Sequence, residues 1–177
     1  MKLWTIQHEN VYSNMLQTGV LRADSNYICI EDFWDSYEWM MEQMKKRIGR
    51  PPQGVELPVW AWYQCDGQRK RPDMRRHVRS SEKGVPIVLL TIDVPEEKVL
   101  LSDFDYWHVV LNGGDLIYPF DEKKKFSKKE RQKSWEKIFD YDKAYDNEER
   151  KSGLWTQATM WEIRAEWVEK AEFFKTR

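Results

Sequence analysis

Two neighbouring stretches hold the side chains best suited to chemistry. Pro58-Val59-Trp60-Ala61-Trp62-Tyr63-Gln64 is an aromatic run. The segment Gln68 to Lys83 then carries Arg69, Lys70, Arg71, Arg75, Arg76, Arg79 and Lys83 against only Asp73 and Glu82. A solvated charged loop is the plain reading of such a run. Its one-sidedness, its arginine content and its place directly after two tryptophans favour an anionic ligand instead. A guanidinium fork pairs bidentately with phosphate, and indole faces stack on bases or on a nicotinamide. Arg71, Arg75 and Arg76 are the candidate anchors, and Trp60, Trp62 and Tyr63 the candidate wall.

A second polar set lies near the end of the chain. Alternation across Trp155-Thr156-Gln157-Ala158-Thr159-Met160-Trp161-Glu162-Ile163 puts Gln157 and Thr159 on one face between tryptophans. Buried without partners they would be costly, so they line a cleft or hydrogen-bond within the fold. Thr5 and Gln7, near the start, stand in the same position. Other chemistries find little support. His8, His77 and His108 have no ligand at metal spacing, and Cys29 and Cys65 make neither a disulfide framework nor a nucleophile motif, so no metal is expected. No glycine-rich phosphate loop occurs; Gly113-Gly114 is a lone pair. The lysine-rich run Lys123 to Lys137 reads as a solvated helix face, with a nucleic-acid contact as its alternative.

These residues need elements to position them. Lys2 to Gln7 reads as a strand with Leu3, Thr5 and Gln7 on one face and Trp4 and Ile6 on the other. A helix follows over Glu9 to Thr18, ended by Gly19, then a short mixed stretch over Val20 to Ile30. A longer helix runs from about Asp32 to Ile48, acidic at its start and basic at its end, and Gly49 and Pro51-Pro52 stop it. Trp60 and Trp62 point to one side of their strand, Val59, Ala61 and Tyr63 to the other, and Asp66-Gly67 makes a turn. Val85 to Val94 is nearly continuous apolar, as expected of a central strand buried on both faces. Lys98 to Leu101 is expected to pair again. Ser102-Asp103-Phe104-Asp105 reads as a capping box for a helix to Asn112, and Ser127-Lys128-Lys129-Glu130 as another for a helix to about Phe139. Trp155 to Ile163 and Val168 to Phe174 read as closing strands. Helices and strands do not alternate strictly, so an α+β domain fits better than a doubly wound sheet.

At 177 residues the chain has the size of one domain, taken as residues 1–177, and 29 basic against 30 acidic side chains exclude a polycation. No apolar run reaches the roughly 18 residues of a membrane span, and the first seven residues contain no signal-peptide core, which points to a cytoplasmic protein without membrane contact. Ten tryptophans are unusual, and most must be core. Each removes roughly 150–250 Å² from water when buried.

Leu3-Trp4-Thr5-Ile6-Gln7, Pro58-Val59-Trp60-Ala61-Trp62-Tyr63, Arg71-Pro72-Asp73-Met74-Arg75 and Gln157-Ala158 with Trp161 resemble a small bacterial family, domain of unknown function 3841, over essentially the whole chain. More distantly, the opening strand and the helix ending in Gly19-Val20-Leu21-Arg22-Ala23-Asp24 resemble ADP-ribosyltransferase-like domains. That resemblance implies a split mixed or antiparallel sheet with peripheral helices and a cleft for NAD. A His or Arg on the first strand would hold the dinucleotide, and a Glu on a late strand would stabilise the oxocarbenium-like charge as the glycosidic bond breaks. Here Thr5 and Gln7 stand at the first place. Gln157 and Thr159 stand at the second, so the usual carboxylate is replaced by Thr159 and enzymatic activity is left open.

Two readings follow. In the first, Trp60, Trp62 and Tyr63 wall a nucleotide cleft, Arg75 anchors the pyrophosphate, Gln157 and Thr159 contact the ribose, and Thr5 and Gln7 complete the floor. In the second, the Arg69–Arg79 loop and the aromatic strand bind RNA or a protein without chemistry. A toxin–antitoxin or phage-defence role is compatible with both.

Overall fold

The computed structural model describes residues 1–24, 31–79, 82–117, 125–141 and 154–177. Cys29, Lys123, Lys124 and the later part of the 20–30 stretch lie outside them. The main element is a six-stranded sheet of β1 (Lys2–His8), β3 (Val59–Gln64), β4 (Pro86–Asp93), β5 (Leu100–Asp103), β6 (Thr156–Met160) and β8 (Val168–Lys175). Its order is β5-β6-β3-β1-β4-β8, and every pairing between neighbours is antiparallel. A small second sheet joins β2 (Val20–Leu21) to β7 (Ile163–Arg164). The α-helices among the described residues are α1 (Glu9–Thr18), α2 (Trp34–Arg47), α3 (Met74–His77), α4 (Phe104–Leu111) and α5 (Lys128–Ser134). The chain is therefore α+β, with its sheet antiparallel rather than mixed.

Alternation along the strands sets two layers on the sheet. Leu3, Val59, Ala61, Val88, Leu90, Ile92, Ala158 and Met160 share one face and pack with Met15 of α1. The opposite face carries two separate clusters. Over β5, β6 and β3, Leu100 and Trp60 pack with Trp39, Met40, Met44, Tyr106, Trp107, Val110, Trp135 and Ile138. Over β1 and β4, Trp4 and Leu89 pack with Met74 and Val78 of the α3 segment. The gap between these clusters is the cleft described below. Of the ten tryptophans, Trp4, Trp39, Trp107, Trp135 and Trp161 are buried and Trp34 is exposed. The other four are half-buried, so half of the indoles are full core.

Local signals decide most boundaries. Gly19 has φ 79° and its N–H donates to the Met15 carbonyl, which ends α1. Asp66 and Gly67 are both left-handed (φ 51° and 71°), and Cys65 pairs with Gln68 across them, the geometry of a two-residue hairpin turn. Ser127 and Glu130 form a reciprocal capping box at α5. Four expectations shift. The long second helix opens with a 3-10 turn over Glu31–Phe33, and the α5 segment tightens into one over Trp135–Phe139. The strand expected over Lys98 to Leu101 is Leu100–Asp103, so Asp103 rather than Ser102 caps α4, accepting from the Tyr106 N–H at 2.9 Å. The closing strand breaks after Met160, because Trp161 is buried with its indole N–H on the Gly49 carbonyl at 2.9 Å. Ile163 then pairs with Leu21 instead of extending β6.

Candidate functional site

β3 lies between β1 and β6, so strands from the two ends of the chain flank the aromatic strand. Register brings Trp4 opposite Trp62 on one side and Gln157 opposite Trp62 on the other. Trp62 is thus the hub of the cleft. Its ring centroid lies 4.8 Å from Phe104, 5.3 Å from Trp155 and 6.4 Å from His77. The cleft encloses about 530 Å³ and is lined by Thr5, Trp60, Trp62, Gln157, Tyr37, His77, Glu82 and Phe104, with Ile6 and Ile87 on its floor. That volume is within the range of small-molecule sites.

The polar groups of the cleft are few and mostly anchored. Gln157, 5% exposed, donates from Nε2 to Ser102 Oγ at 3.2 Å. The Thr5 hydroxyl donates across to the Trp60 carbonyl at 2.8 Å and accepts from Gln7 Nε2 at 2.7 Å. Burial raises the Tyr37 phenol above its ordinary pKa, and the Trp60 indole N–H pulls it partway back. That N–H is buried and makes no hydrogen bond within ordinary geometric limits, so it faces the phenol rather than the open cleft. Burial also lowers the His77 pKa, a shift that Asp73 opposes and Arg76 assists. A neutral imidazole there offers one donor and one acceptor at pH 7.

Of the ten residues singled out by sequence, Thr5, Trp60, Trp62 and Gln157 line the cleft, and Gln7 braces Thr5. The other five lie elsewhere. Tyr63 points to the opposite face, with the Arg69 guanidinium 3.6 Å over its ring. Thr159 is fully buried, and its hydroxyl donates to the Leu100 carbonyl at 3.1 Å. Arg71 pairs with Glu172 at 2.9 Å, Arg75 with Asp73 at 2.8 Å, and Arg76 with Asp66 at 3.8 Å. No arginine or lysine is among the described residues lining the cleft. Tyr37, His77, Glu82 and Phe104 were not foreseen as a set. The one local signal was the α4 cap, which fixes Phe104 as the first helical residue beside β5.

Among the described residues no group of three metal-ligating side chains converges, and no helix is long and apolar enough to cross a membrane. Cys65 is buried, and its thiol is pushed up to about 11, by burial first and Asp66 second. Thiolate is the reactive form, so Cys65 stays inert. Iodoacetamide at pH 8 should leave the Cys65 peptide unlabelled in native protein and label it after denaturation, as read by mass spectrometry.

Sheet, helical clusters and cleft together define an α+β protein with an aromatic, nearly uncharged pocket on one sheet face. The family model for Domain of unknown function (DUF3841) matches residues 2–132, and the chain belongs to that family. No curated protein and no solved structure matches the chain.

Proposed function

We infer that the cleft binds a planar, hydrogen-bonding ring of the nucleobase or nicotinamide kind, within an ADP-ribosyltransferase-like frame. The observation that carries this reading is the grouping of Trp60, Trp62 and Phe104 around Gln157. Indole and phenyl faces supply stacking, and Gln157 spends one N–H on Ser102, which leaves its second N–H and its carbonyl oxygen for a ring edge. Support for the frame comes from β1 and β6, which carry Thr5 and Gln157 in from opposite ends of the chain to flank β3. NAD fits such a site through its nicotinamide or adenine ring.

The reading is one of binding. Thr159, at the place the resemblance gives to a catalytic Glu, is neutral, fully buried and committed to Leu100, so it supplies no charge to a developing cation. Calorimetry and tryptophan quenching with nicotinamide, adenosine, AMP and NAD test the proposal. Saturable binding by at least one is expected. Base stacking is worth about 1–3 kcal/mol, so Trp62→Leu should weaken it about tenfold with the melting transition retained. Absence of heat and quenching with all four at millimolar concentration rejects the reading.

A further inference from the structure

Nothing cationic lines the cleft among the described residues, and Glu82 stands at its edge. A ring can enter there, but a phosphate attached to it must find its counter-charge outside. A cation-rich surface lies across α3. Residues two apart on a helix point to different sides, so His77 faces the cleft while Arg75 faces a separate groove. That groove encloses about 520 Å³ and is lined by Arg71, Arg75, Lys175 and Arg177, with Asp73 among them and Phe174 in its wall. Glu172 at its side accepts from Arg71 at 2.9 Å, so the four lining cations face two carboxylates, Asp73 and Glu172.

The internal ion pairs leave donors available. Arg75 meets Asp73 through Nε and Nη2 (2.8–3.1 Å), which leaves Nη1 unused, and its side chain is 84% exposed. A guanidinium carries five N–H groups, enough to hold a carboxylate on one edge and a phosphate on another.

We propose that this groove is the backbone path of a single-stranded nucleic acid, one base of which turns past α3 into the aromatic cleft. The proposal rests on the ring-binding reading of the cleft and names its ligand as a polymer rather than a free nucleotide. It accounts for the cations lying outside the cleft, which a compact mononucleotide does not explain. Stacking on aromatic side chains beside a positive backbone groove is the general mode of single-strand recognition.

The test uses fluorescein-labelled ten-nucleotide RNA and DNA of one sequence, with anisotropy measured from 50 to 200 mM salt. Each phosphate neutralised contributes about −0.7 to the slope of log affinity against log salt, so four cations give about −3. Arg75→Glu with Lys175→Glu, both surface changes, should weaken binding more than tenfold and flatten the slope to about −1.5. Trp62→Leu should weaken binding at an unchanged slope. Tighter binding of either sugar, or equal binding of both, supports the proposal and identifies the polymer. Binding of AMP or NAD together with an oligonucleotide affinity that ignores the charge reversal overturns the groove and leaves the cleft reading standing. Groove-dependent oligonucleotide binding that ignores Trp62→Leu overturns the insertion of a base. Loss of both oligonucleotide and mononucleotide binding overturns both readings. Displacement by polyglutamate as effective as by unlabelled strand overturns the nucleic-acid assignment.

Discussion

A chain shortened to end at residue 132, where the family model stops, should show no cooperative thermal transition by circular dichroism and should elute as aggregate on gel filtration. The reason is topological. β6 enters the sheet between β5 and β3, with all five of its residues buried, and β8 covers β4. Without them β3 and β4 become open edges, which template aggregation, and β5 loses its only neighbour in the sheet. The removed segment also takes Trp135, Ile138, Met160, Trp161 and Ile163 out of the two main cores. At about 1.5–3 kcal/mol for each of these five side chains, that loss is about 8–15 kcal/mol, against a total stability of about 5–15 kcal/mol for a typical domain. A cooperative melt with near-ultraviolet signal from the shortened chain would show that the sheet closes without β6 and β8, and would remove Gln157 from any essential part in the cleft.

The same dependence explains what was legible in the sequence. Features fixed by neighbours within one turn or strand were readable. α1 runs over Glu9–Thr18 with its glycine stop, the Ser127–Glu130 box caps α5, and Trp60 and Trp62 share a face. Features settled by distant partners were not. Ser102 and Asp103 can each cap a helix, but Ser102 pairs across β5 and β6 with Gln157, 55 residues away, which leaves the cap to Asp103. The alternation that reads on through Ile163 is broken by Trp161, whose indole is held by Gly49, 112 residues away. Charge was visible in the Arg69–Arg79 segment, but its pairings were not. Arg71 is tied to Glu172, 101 residues on, and Arg71 and Arg75 flank the second groove instead of entering the cleft. Tyr37, His77 and Phe104 come from three different helices. No local pattern marks them as neighbours, and only the packing of two clusters on one sheet face brings them to Trp60 and Trp62.

Trp107→Ala should be among the most damaging single substitutions, and damaging in two ways. The Trp107 ring lies 5.1 Å from that of Trp60 and 5.8 Å from that of Tyr37, and the side chain is 3% exposed. Truncating a buried tryptophan costs about 3–5 kcal/mol through lost transfer energy and the cavity left behind. The cavity would open behind Trp60 and Tyr37, two residues that line the cleft. Stability and ring binding should therefore fall together, although Trp107 is not among the cleft-lining residues. Urea denaturation should show a lower midpoint with an unchanged slope, the sign of lost stability rather than an altered unfolded state. Leu16→Ala provides the comparison, because Leu16 is 60% exposed and its truncation should cost within about 0.5 kcal/mol. A Trp107→Ala midpoint close to that of Leu16→Ala would mean that the α4 layer does not support the cleft wall. Trp62→Leu, by contrast, alters a half-buried hub and should weaken the ligand more than the fold. The two substitutions thus separate the wall that faces the ligand from the column behind it.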